Sequence, residues 1–514
     1  MNFLDKLLNH FNLTYEEYLS LSKNVDEISL INPNSIKGMD KVKERIFKAI
    51  ENKEKILVYG DYDCDGICAT TIMVRTFQKL GYNVDYYIPS RYSDGYGLNV
   101  EQVNIACLRD TNLIITVDNG ISAHEAIDVA VNNGVDVIVI DHHELPPEPV
   151  KAVGIIHPTY SDISDIIGSG GYMALFVSSA LLGHYDDYLV TLAGLSTISD
   201  LMELKGYNRD VVRLALDNLK KHRYPTLCFL MDSNVITEKT FSLEIAPKIN
   251  AVGRVYLSSS KVAVNFLLST TNDDIFRFGQ KILDYNEERK QLTKEAFETV
   301  KVNEEEAAIC LLTDMKEGLI GLLANRLMNE YNRPCIIFTP EQFNDSILKG
   351  SIRSKEGFNV TKAFETLNKY LLTGGGHALA GGLSIKREDF EDFKRDFLKL
   401  AKEYPIIEPK EETIDISLND ISLQNYEILQ TFMPFGMSFK EPSFKISNLP
   451  TQGLTFISFG KHLSHKLTMN TKLLGFNMNE SEIKSKRSID IIGNFNLSEY
   501  KGYQTLEFRI NKYN

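Results

Sequence analysis

The sequence lacks several features that would place it in other classes of protein. Its six cysteines are scattered among probable strands and helices, which excludes a disulfide framework and predicts a reducing, cytoplasmic location. No stretch approaches about eighteen uncharged apolar residues, and residues 1–21 mix charged and apolar side chains. We therefore expect neither a signal peptide nor a membrane span.

Basic residues are also in short supply. The chain of 514 residues carries 56 Lys and Arg against 69 Asp and Glu, a net charge of −13. This balance argues against a protein that coats nucleic acid, because such binding depends on neutralising phosphates. The negative net charge is compatible with a nucleic-acid enzyme, since metal ions and a few arginines can supply positive charge inside a cleft.

Two common catalytic motifs are missing as well. No glycine-rich loop ends in Lys-Ser or Lys-Thr, so ATP hydrolysis has no support, and no Gly-x-Ser-x-Gly nucleophile elbow is found.

What the chain does contain is a series of acidic and imidazole side chains that follow strand-like runs. The apolar runs 56–59, 113–117 and 135–140 are followed by Gly60-Asp61-Tyr62-Asp63-Cys64-Asp65-Gly66, by Asp118, and by Asp141-His142-His143. In a parallel sheet successive strands end at the same edge, so we expect these side chains to converge there. Carboxylates mixed with imidazoles suit Mn²⁺ or Mg²⁺, and two such ions can clamp a phosphoryl group.

An alternative explanation of these aspartates is helix capping, because Asp after a strand is often an N-cap. Three clusters in order, each after its own strand, favour a metal site over capping alone. Asp200, at the end of another apolar segment, is a further candidate whose alternative role is again a cap. The predicted ligands of two ions are Asp63, Asp65, Asp118, His142 and Asp200, with Asp61 as an extra ligand or orienting group and His143 as a donor to phosphate.

Candidate phosphate-binding residues occur near glycine turns. Arg91 precedes Asp94-Gly95-Tyr96-Gly97, Arg254 follows a glycine, and Ser351 and Arg353 are placed two residues apart, so that a strand would present both on one face. The alternative for any single arginine is a solvated surface position.

A glycine run, Gly374-Gly375-Gly376-His377, is a further candidate. It allows close backbone approach to a ligand, although the run could equally be only a tight turn. His377 makes Gly375, Gly376 and His377 a candidate substrate clamp.

Periodicity predicts an α/β protein of several domains. Strand-like runs alternate with amphipathic segments after residue 52, a long helix is expected over 272–302, and short alternating runs such as 466–469, 489–492 and 505–510 suggest a C-terminal β-barrel, an OB-fold. The expected segments are a helical cap (1–52), a metal-binding parallel-sheet domain (53–257), a connecting helical segment (258–305), a second α/β domain (306–403) and the barrel (404–514), which begins with a turn-rich charged stretch.

These motifs resemble those of the DHH phosphoesterases and, among them, the RecJ single-strand-specific exonucleases. The aspartate and histidine clusters are similar to the metal motifs of the whole superfamily. The Arg91 loop, Asn250-Ala251-Val252-Gly253-Arg254, Pro434-Phe435-Gly436 and Lys461-His462-Leu463 favour RecJ, and Gly350-Ser351-Ile352-Arg353-Ser354 resembles the DHH-associated domain. After Pro434-Phe435-Gly436 the chain departs from the family pattern, because an expected Asn-Pro is missing.

The resemblance implies a 5′-to-3′ exonuclease of DNA repair and recombination that removes mononucleotides from single-stranded DNA with two Mn²⁺ or Mg²⁺ ions. Arg91, Ser351 and Arg353 would hold the 5′ end, with Arg254 and His377 on the next phosphates. It further implies a cytoplasmic monomer that works with a single-strand-binding protein or a helicase, away from membranes. The alternatives are a DHH phosphodiesterase for oligoribonucleotides or cyclic dinucleotides, and a non-catalytic replication scaffold.

Overall fold

The computed structural model describes residues 1–163, 167–256, 261–407, 412–500 and 503–514. The expected domain boundary at 257/258 and residues 408–411 of the charged stretch lie outside these ranges. In the described part no helix has both the length and the hydropathy needed to cross a membrane.

The first domain is built on a five-stranded parallel sheet in the order β2-β1-β3-β4-β5. Its strands are β1 (Ile56–Tyr59), β2 (Asp85–Tyr87), β3 (Leu113–Val117), β4 (Asp136–Ile140) and β5 (Gly154–Ile156). The helices before and within this domain are α1 (Phe3–Phe11), α2 (Tyr15–Leu21), α3 (Met39–Glu51), α4 (Cys64–Lys79), α5 (Val100–Leu108), α6 (His124–Asn132), α7 (Gly170–Leu182), α8 (Asp187–Ser199), α9 (Gly206–His222), α10 (Pro225–Phe229) and α11 (Ala246–Val255), the last preceded by a π-helical turn, Thr240–Ile245.

Helices cover both faces of this sheet. One face packs against α4, α7 and α8 in a large apolar core, and the other packs against α5 and α6. Helices α7 and α8 are buried on nearly all sides, which explains why their apolar residues show little helical periodicity. With both faces covered, the open edge at the carboxyl ends of the strands is where polar side chains can gather.

Two helices lead from the first domain to the second: α12 (Lys261–Leu268) and α13 (Asn272–Thr299). Helix α13 has 28 residues, so it is about 42 Å long. It contacts α11 and α12 and also helix α14 (Glu317–Tyr331) of the next domain. The long helix expected from the sequence is therefore present.

The second domain holds a five-stranded mixed sheet in the order β6-β7-β8-β10-β9. Strands β6 and β7 are parallel, and the others are antiparallel. Apolar cores lie on both faces of the sheet. The elements are β6 (Ile309–Leu312), α14 (Glu317–Tyr331), β7 (Cys335–Glu341), β8 (Asn344–Arg353), α15 (Val360–Thr366), β9 (Leu371–His377), β10 (Ala380–Lys386) and α16 (Phe390–Glu403).

The C-terminal region is a seven-stranded sheet in the order β11-β12-β16-β17-β15-β14-β13. Its elements are β11 (Thr413–Asp415), α17 (Leu423–Thr431), β12 (Ser443–Pro450), β13 (Phe456–Ile457), β14 (His462–Lys466), β15 (Thr471–Gly475), α18 (Glu480–Ser485), β16 (Ser488–Tyr500) and β17 (Tyr503–Tyr513). The strand expected over 466–469 is displaced: residues 467–470 form the turn between β14 and β15, where Leu467 bonds back to Thr471.

The helices of residues 1–52 divide between two cores instead of forming one cap. Helix α3 packs into the core of the first domain, whereas α1 packs into the core of the C-terminal region. The Phe3 ring stacks on Phe444 with centroids 5.7 Å apart, and Lys6 forms an ion pair with Asp420 at 3.2 Å. Either core can bury the apolar face of a short amphipathic helix, and the sequence pattern does not distinguish them.

Candidate active site

The carboxyl ends of β1, β3 and β4 bring the acidic and imidazole side chains together. Asp61 and Asp63 follow β1, Asp118 follows β3, and His142 and His143 follow β4, which are three adjacent strands. Three groups each offer ligand atoms within 4.8 Å of one another: Asp118 with His142 and His143, Asp65 with His142 and Asp200, and Asp61 with Asp63 and Asp118. The predicted convergence is therefore seen in the geometry.

His142 lies at the centre of the cluster. Its Nε2 atom is 3.1 Å from Asp118 Oδ1, 3.6 Å from Asp200 Oδ2 and 3.7 Å from Asp65 Oδ2. Asp200 arrives from a different element, the C-terminal end of α8. Oxygen and nitrogen atoms from both the sheet edge and a helix end thus surround one small space.

Local backbone structure fixes the positions of two of the aspartates. Asp63 is the N-cap of α4, and its Oδ1 atom accepts hydrogen bonds from the backbone N–H groups of Asp65 and Gly66 at 2.9 and 3.1 Å. Capping and metal binding are therefore compatible, because the second carboxylate oxygen stays available. Asp118 has a left-handed φ of 61°, a strained conformation of the kind that clusters at functional sites.

Asp65 is fixed by donors on α7 and α8. Its oxygens accept hydrogen bonds from Gly170 N at 2.8 Å and Gly171 N at 2.7 Å, and the Ser196 hydroxyl donates to Oδ1. Position 171 must be glycine for this approach, since a Cβ atom there would lie 2.4 Å from Ser196 Oγ. These contacts orient a carboxylate that is only 2 % exposed.

The electrostatics of the acidic cluster favour the binding of a cation. Burial, followed by the charge of Asp65, raises the pKa of Asp200 to about 8. Burial and neighbouring carboxylates also raise the pKa of Asp61, Asp63 and Asp118. Among the described residues, Asp61 Oδ1 and Asp200 Oδ2 are buried with no hydrogen-bond partner. Unsatisfied buried oxygens beside an imidazole fit Mn²⁺ or Mg²⁺.

His143 differs from His142 in its partners. Its Nδ1 atom is 2.7 Å from Asp141 Oδ1, and its Nε2 atom is 2.8 Å from the hydroxyl of Tyr96. Burial alone would lower the pKa of His143, but the hydrogen bond to Asp141 raises it to about 9. Asp141 therefore orients the ring and favours its protonated form.

A second polar site lies between the two α/β domains. Arg91, Arg254, Ser351 and Arg353 line a cavity of about 270 Å³ together with Lys349, Glu317, Thr373 and Ser384, among others. The Arg91 guanidinium lies 4.3 Å from the centroid of the Tyr62 ring, next to the acidic cluster. The four predicted phosphate-binding residues thus meet in one place.

The side chains that line this cavity carry more positive than negative charge, which favours the binding of an anion. Burial, and then the neighbouring charge of Arg91, lower the pKa of Arg254 to about 10, and the same two causes lower the pKa of Arg353. Arg353 Nη1 donates to Ser351 Oγ at 3.1 Å. Gly321 in α14 lets these side chains approach the helix, since a Cβ atom there would lie 3.0 Å from both Arg353 Nη2 and Ser351 Oγ. A phosphate would relieve the repulsion among three guanidinium groups.

The glycine-rich hairpin of β9 and β10 extends the floor of this cavity. Across the sheet, Gly375 lies in register with Gly382 and Ser351, and His377 lies in register with Ala380 and Arg353. Residues in register share a face, and two strand spacings place His377 about 10 Å from Arg353. Gly375, Gly376 and His377 are exposed, so they form an open platform beside the cavity.

Several residues of the site were not anticipated from the sequence. Besides Tyr96, they are Ser196, Gly171, and Asn250, whose Oδ1 accepts the N–H of Cys64 at 2.9 Å. Asn250 is the first residue of the motif Asn250-Ala251-Val252-Gly253-Arg254, and Gly168-Ser169-Gly170-Gly171 is a glycine-rich helix start, so the sequence marks both segments without giving the role of either residue. Ser196 lies within an apolar helix, and no pattern in the sequence marks it.

Comparison with known proteins agrees with this architecture. Residues 55–202 match the model of the DHH family, N-terminal domain; residues 305–404 match the DHHA1 domain; and residues 414–512 match the RecJ OB domain. Among relatives, the chain is 32 % identical over 496 residues to the single-stranded-DNA-specific exonuclease RecJ of Bacillus subtilis, covering 91 % of this chain and 62 % of that protein. It is 28 % identical over 458 residues to RecJ of Haemophilus influenzae, covering 81 % of this chain and 79 % of that protein.

Solved structures resemble the fold over the whole chain. The crystal structure of RecJ from Thermus thermophilus with Mn²⁺ superposes with a TM-score of 0.84 at 24 % identity, covering 100 % of this chain and 76 % of that one. The same protein with Mg²⁺ gives a TM-score of 0.78 at 23 % identity, with coverage of 99 % and 74 %.

A parallel sheet with this acidic edge, followed by a DHHA1 domain, defines a protein of the DHH phosphoesterase class. The OB domain at residues 414–512 and the relatives narrow the assignment: the chain belongs to the RecJ family. The predicted family and the predicted fold class, including the C-terminal OB-fold, are confirmed.

Proposed function

We propose that the protein is a metal-dependent 5′-to-3′ exonuclease that releases 5′-mononucleotides from single-stranded DNA during repair and recombination. One observation carries the proposal: the arginine cavity adjoins the acidic cluster. Arg91 interacts electrostatically with Asp61 and Asp63, and Arg254 with Asp63. A strand whose 5′-phosphate occupies the cavity therefore has its next linkages close to the carboxylates. The names of the B. subtilis and H. influenzae relatives support the same activity for this chain.

The proposed metal ligands are Asp63, Asp65, Asp118, His142 and Asp200, with Asp61 beside them, and the proposed ions are two Mn²⁺ or Mg²⁺. The two T. thermophilus RecJ structures, one in complex with Mn²⁺ and the other with Mg²⁺, support this choice of ions. Such ions supply Lewis-acid activation of water and neutralise charge on the phosphoryl group. The chain itself contributes the orientation of each carboxylate, as the donors to Asp65 illustrate.

His143 is proposed to donate a hydrogen bond to the reacting phosphate. Its raised pKa favours the protonated ring, and Asp141 holds the orientation of the ring through Nδ1. The Tyr96 hydroxyl now occupies the Nε2 side, and it also bonds to the backbone oxygen of Asp118 at 3.0 Å. A substrate oxygen at Nε2 would replace this tyrosine contact, with no change in the ring's charge.

The 5′-phosphate is proposed to bind Arg91, Arg254, Ser351 and Arg353. The cavity that they line also includes Gly318 and Gly321 at the start of α14, and the N-terminus of a helix favours an anion. His377, with the open glycine surface of Gly375 and Gly376, is proposed to meet a following phosphate. Exposed aromatic rings on the barrel, Phe459 and Phe476, offer stacking surfaces for bases, which gives a grip that tolerates any sequence.

The proposal also includes a cytoplasmic monomer that receives its strand from a single-strand-binding protein or a helicase. The free state of all six cysteines supports a reducing compartment.

A nuclease assay with 5′- and 3′-labelled strands, with and without Mn²⁺, tests the proposal. We expect Mn²⁺-dependent release of the 5′ label as a mononucleotide, and no release from blunt duplex DNA. A short RNA dinucleotide serves as the competing substrate. Faster cleavage of the dinucleotide than of long DNA would replace the exonuclease with a small-substrate phosphodiesterase, and no cleavage of either would favour a non-catalytic scaffold.

A further inference from the structure

The C-terminal barrel contacts the segment that directly follows Asp200. We call residues 201–205 the exit turn of α8. Its first residue, Leu201, has a left-handed φ of 55°, and the turn is held from outside by a loop of the barrel. Leu204 N donates to Met437 O at 3.0 Å, and Ser438 Oγ donates to Glu203 Oε1 at 2.7 Å.

A buried arginine strengthens this connection. Arg209, in the first turn and a half of α9, is 2 % exposed and donates to the carbonyl oxygens of Phe432, Met433 and Pro434 at 2.8 to 2.9 Å. Its guanidinium also lies 4.9 Å from the centroid of the Phe439 ring. A guanidinium buried in this way is costly to leave unpaired, so the loop 432–439 is fixed against the start of α9.

The exit turn is hydrogen-bonded to the last turn of α8. Met202 N bonds back to Thr197 O at 3.1 Å, and Asp200 N bonds to Ser196 O at 3.0 Å. Ser196 holds Asp65, so the last turn of α8 supplies one carboxylate of the cluster and orients another. A displacement of the exit turn would move both.

We propose that the barrel loop 436–438 is a positioning element for Asp200, so that the C-terminal domain sets the metal affinity of a site in the first domain. The inference rests on the proposed role of Asp200 as a metal ligand. Its physical basis is that ligand atoms must be held within about 0.5 Å of a productive geometry, and groups that orient ligands typically change metal affinity by about 10- to 100-fold.

Gly436→Ala is the sharpest perturbation, because a Cβ atom at this position would lie 2.7 Å from Leu204 Cδ1 and push on the exit turn. Ser438→Ala is the milder variant, which removes only the bond to Glu203. Glu441→Gln is the matched control: Glu441 pairs with Lys239 of the first domain at 2.8 Å, at the same interface but away from the exit turn. Asp200→Asn provides the reference.

Calorimetric titration of Mn²⁺ into the metal-free full-length variants is the measurement, with melting temperatures recorded alongside. We expect Gly436→Ala to weaken Mn²⁺ binding by about tenfold, Ser438→Ala by less, and Glu441→Gln not at all. Saturating Mn²⁺ should restore nuclease activity to Gly436→Ala. Wild-type Mn²⁺ affinity in both barrel variants, with Asp200→Asn impaired, would overturn the positioning role. Unchanged affinity in Asp200→Asn would instead refute the proposed ligand.

Discussion

Replacing Arg353 with alanine tests the proposed 5′-phosphate site most directly. The Nη1 atom of Arg353 is already used inside the protein, donating to Ser351 Oγ at 3.1 Å and to Ile352 O at 2.7 Å. The remaining nitrogens can offer a phosphate about one charge-assisted hydrogen bond, worth about 2 kcal/mol. The expected loss in kcat/KM on 5′-phosphorylated strands is therefore about 30-fold.

The assay compares kcat/KM on 5′-phosphate and 5′-hydroxyl strands of one sequence. In Arg353→Ala the kcat/KM on the 5′-phosphate strand should fall toward the value on the 5′-hydroxyl strand, because only the phosphorylated strand loses a contact. Arg387→Ala is the control, an arginine of the same domain whose Nη1 contacts Asp345 O at 3.4 Å. Equal losses on both strands, or a parallel loss of Mn²⁺ affinity, would show that Arg353 supports the fold or the metal site and not the phosphate.

Three further predictions concern the acidic cluster. Asp118→Ala should abolish turnover while DNA binding at low Mn²⁺ persists in a filter-binding assay; unchanged turnover would rule out the site. Because the pKa of Asp200 is raised from 3.8 to about 8 on folding, the folded apoprotein holds more protons than the unfolded chain, so its unfolding free energy should fall as pH rises from about 4 to 8. The rise in melting temperature on adding Mn²⁺ should accordingly be larger at pH 8 than at pH 6, and an equal rise at both would contradict this. Gly171→Ala forces its new methyl against Ser196 and should cost about 1–3 kcal/mol in urea denaturation, with weaker Mn²⁺ binding; wild-type stability and affinity would show that the contact tolerates the methyl.

The sequence was sufficient to predict which edge of the sheet carries the site. Apolar runs before Asp63, Asp118 and His142 indicate buried parallel strands, and parallel strands can only end at a common edge. Asp200 could be suggested because an apolar helix ends in a carboxylate. These predictions depend on local patterns that the fold preserves.

The surroundings of the ligands could not be predicted in the same way. Asp65 is held by Gly171 and Ser196, which lie 106 and 131 residues away in sequence. Nothing in the periodicity of α7 or α8 specifies which of their buried polar atoms face Asp65 in the first turn of α4. Such contacts depend on how helices pack on the sheet, and a pattern of apolar residues constrains that packing only loosely.

The partner of helix α1 is unpredictable from the sequence for a related reason. Its apolar face is clear from residues such as Phe3 and Leu7, but the surface that covers this face begins more than 400 residues later. The local sequence shows that α1 has an apolar face to bury. It does not identify a covering surface so distant along the chain. The contact between Lys6 and Asp420 could be found only in three dimensions.

That arrangement has a consequence for synthesis of the chain. Helix α1 is translated before the hydrophobic surface it needs, around Phe444 and Phe495, which lies more than 400 residues further along the chain. Closing so large a loop is slow, although its entropic cost grows only logarithmically with length. Helix α1 therefore cannot reach its native environment until this distant surface has been synthesised.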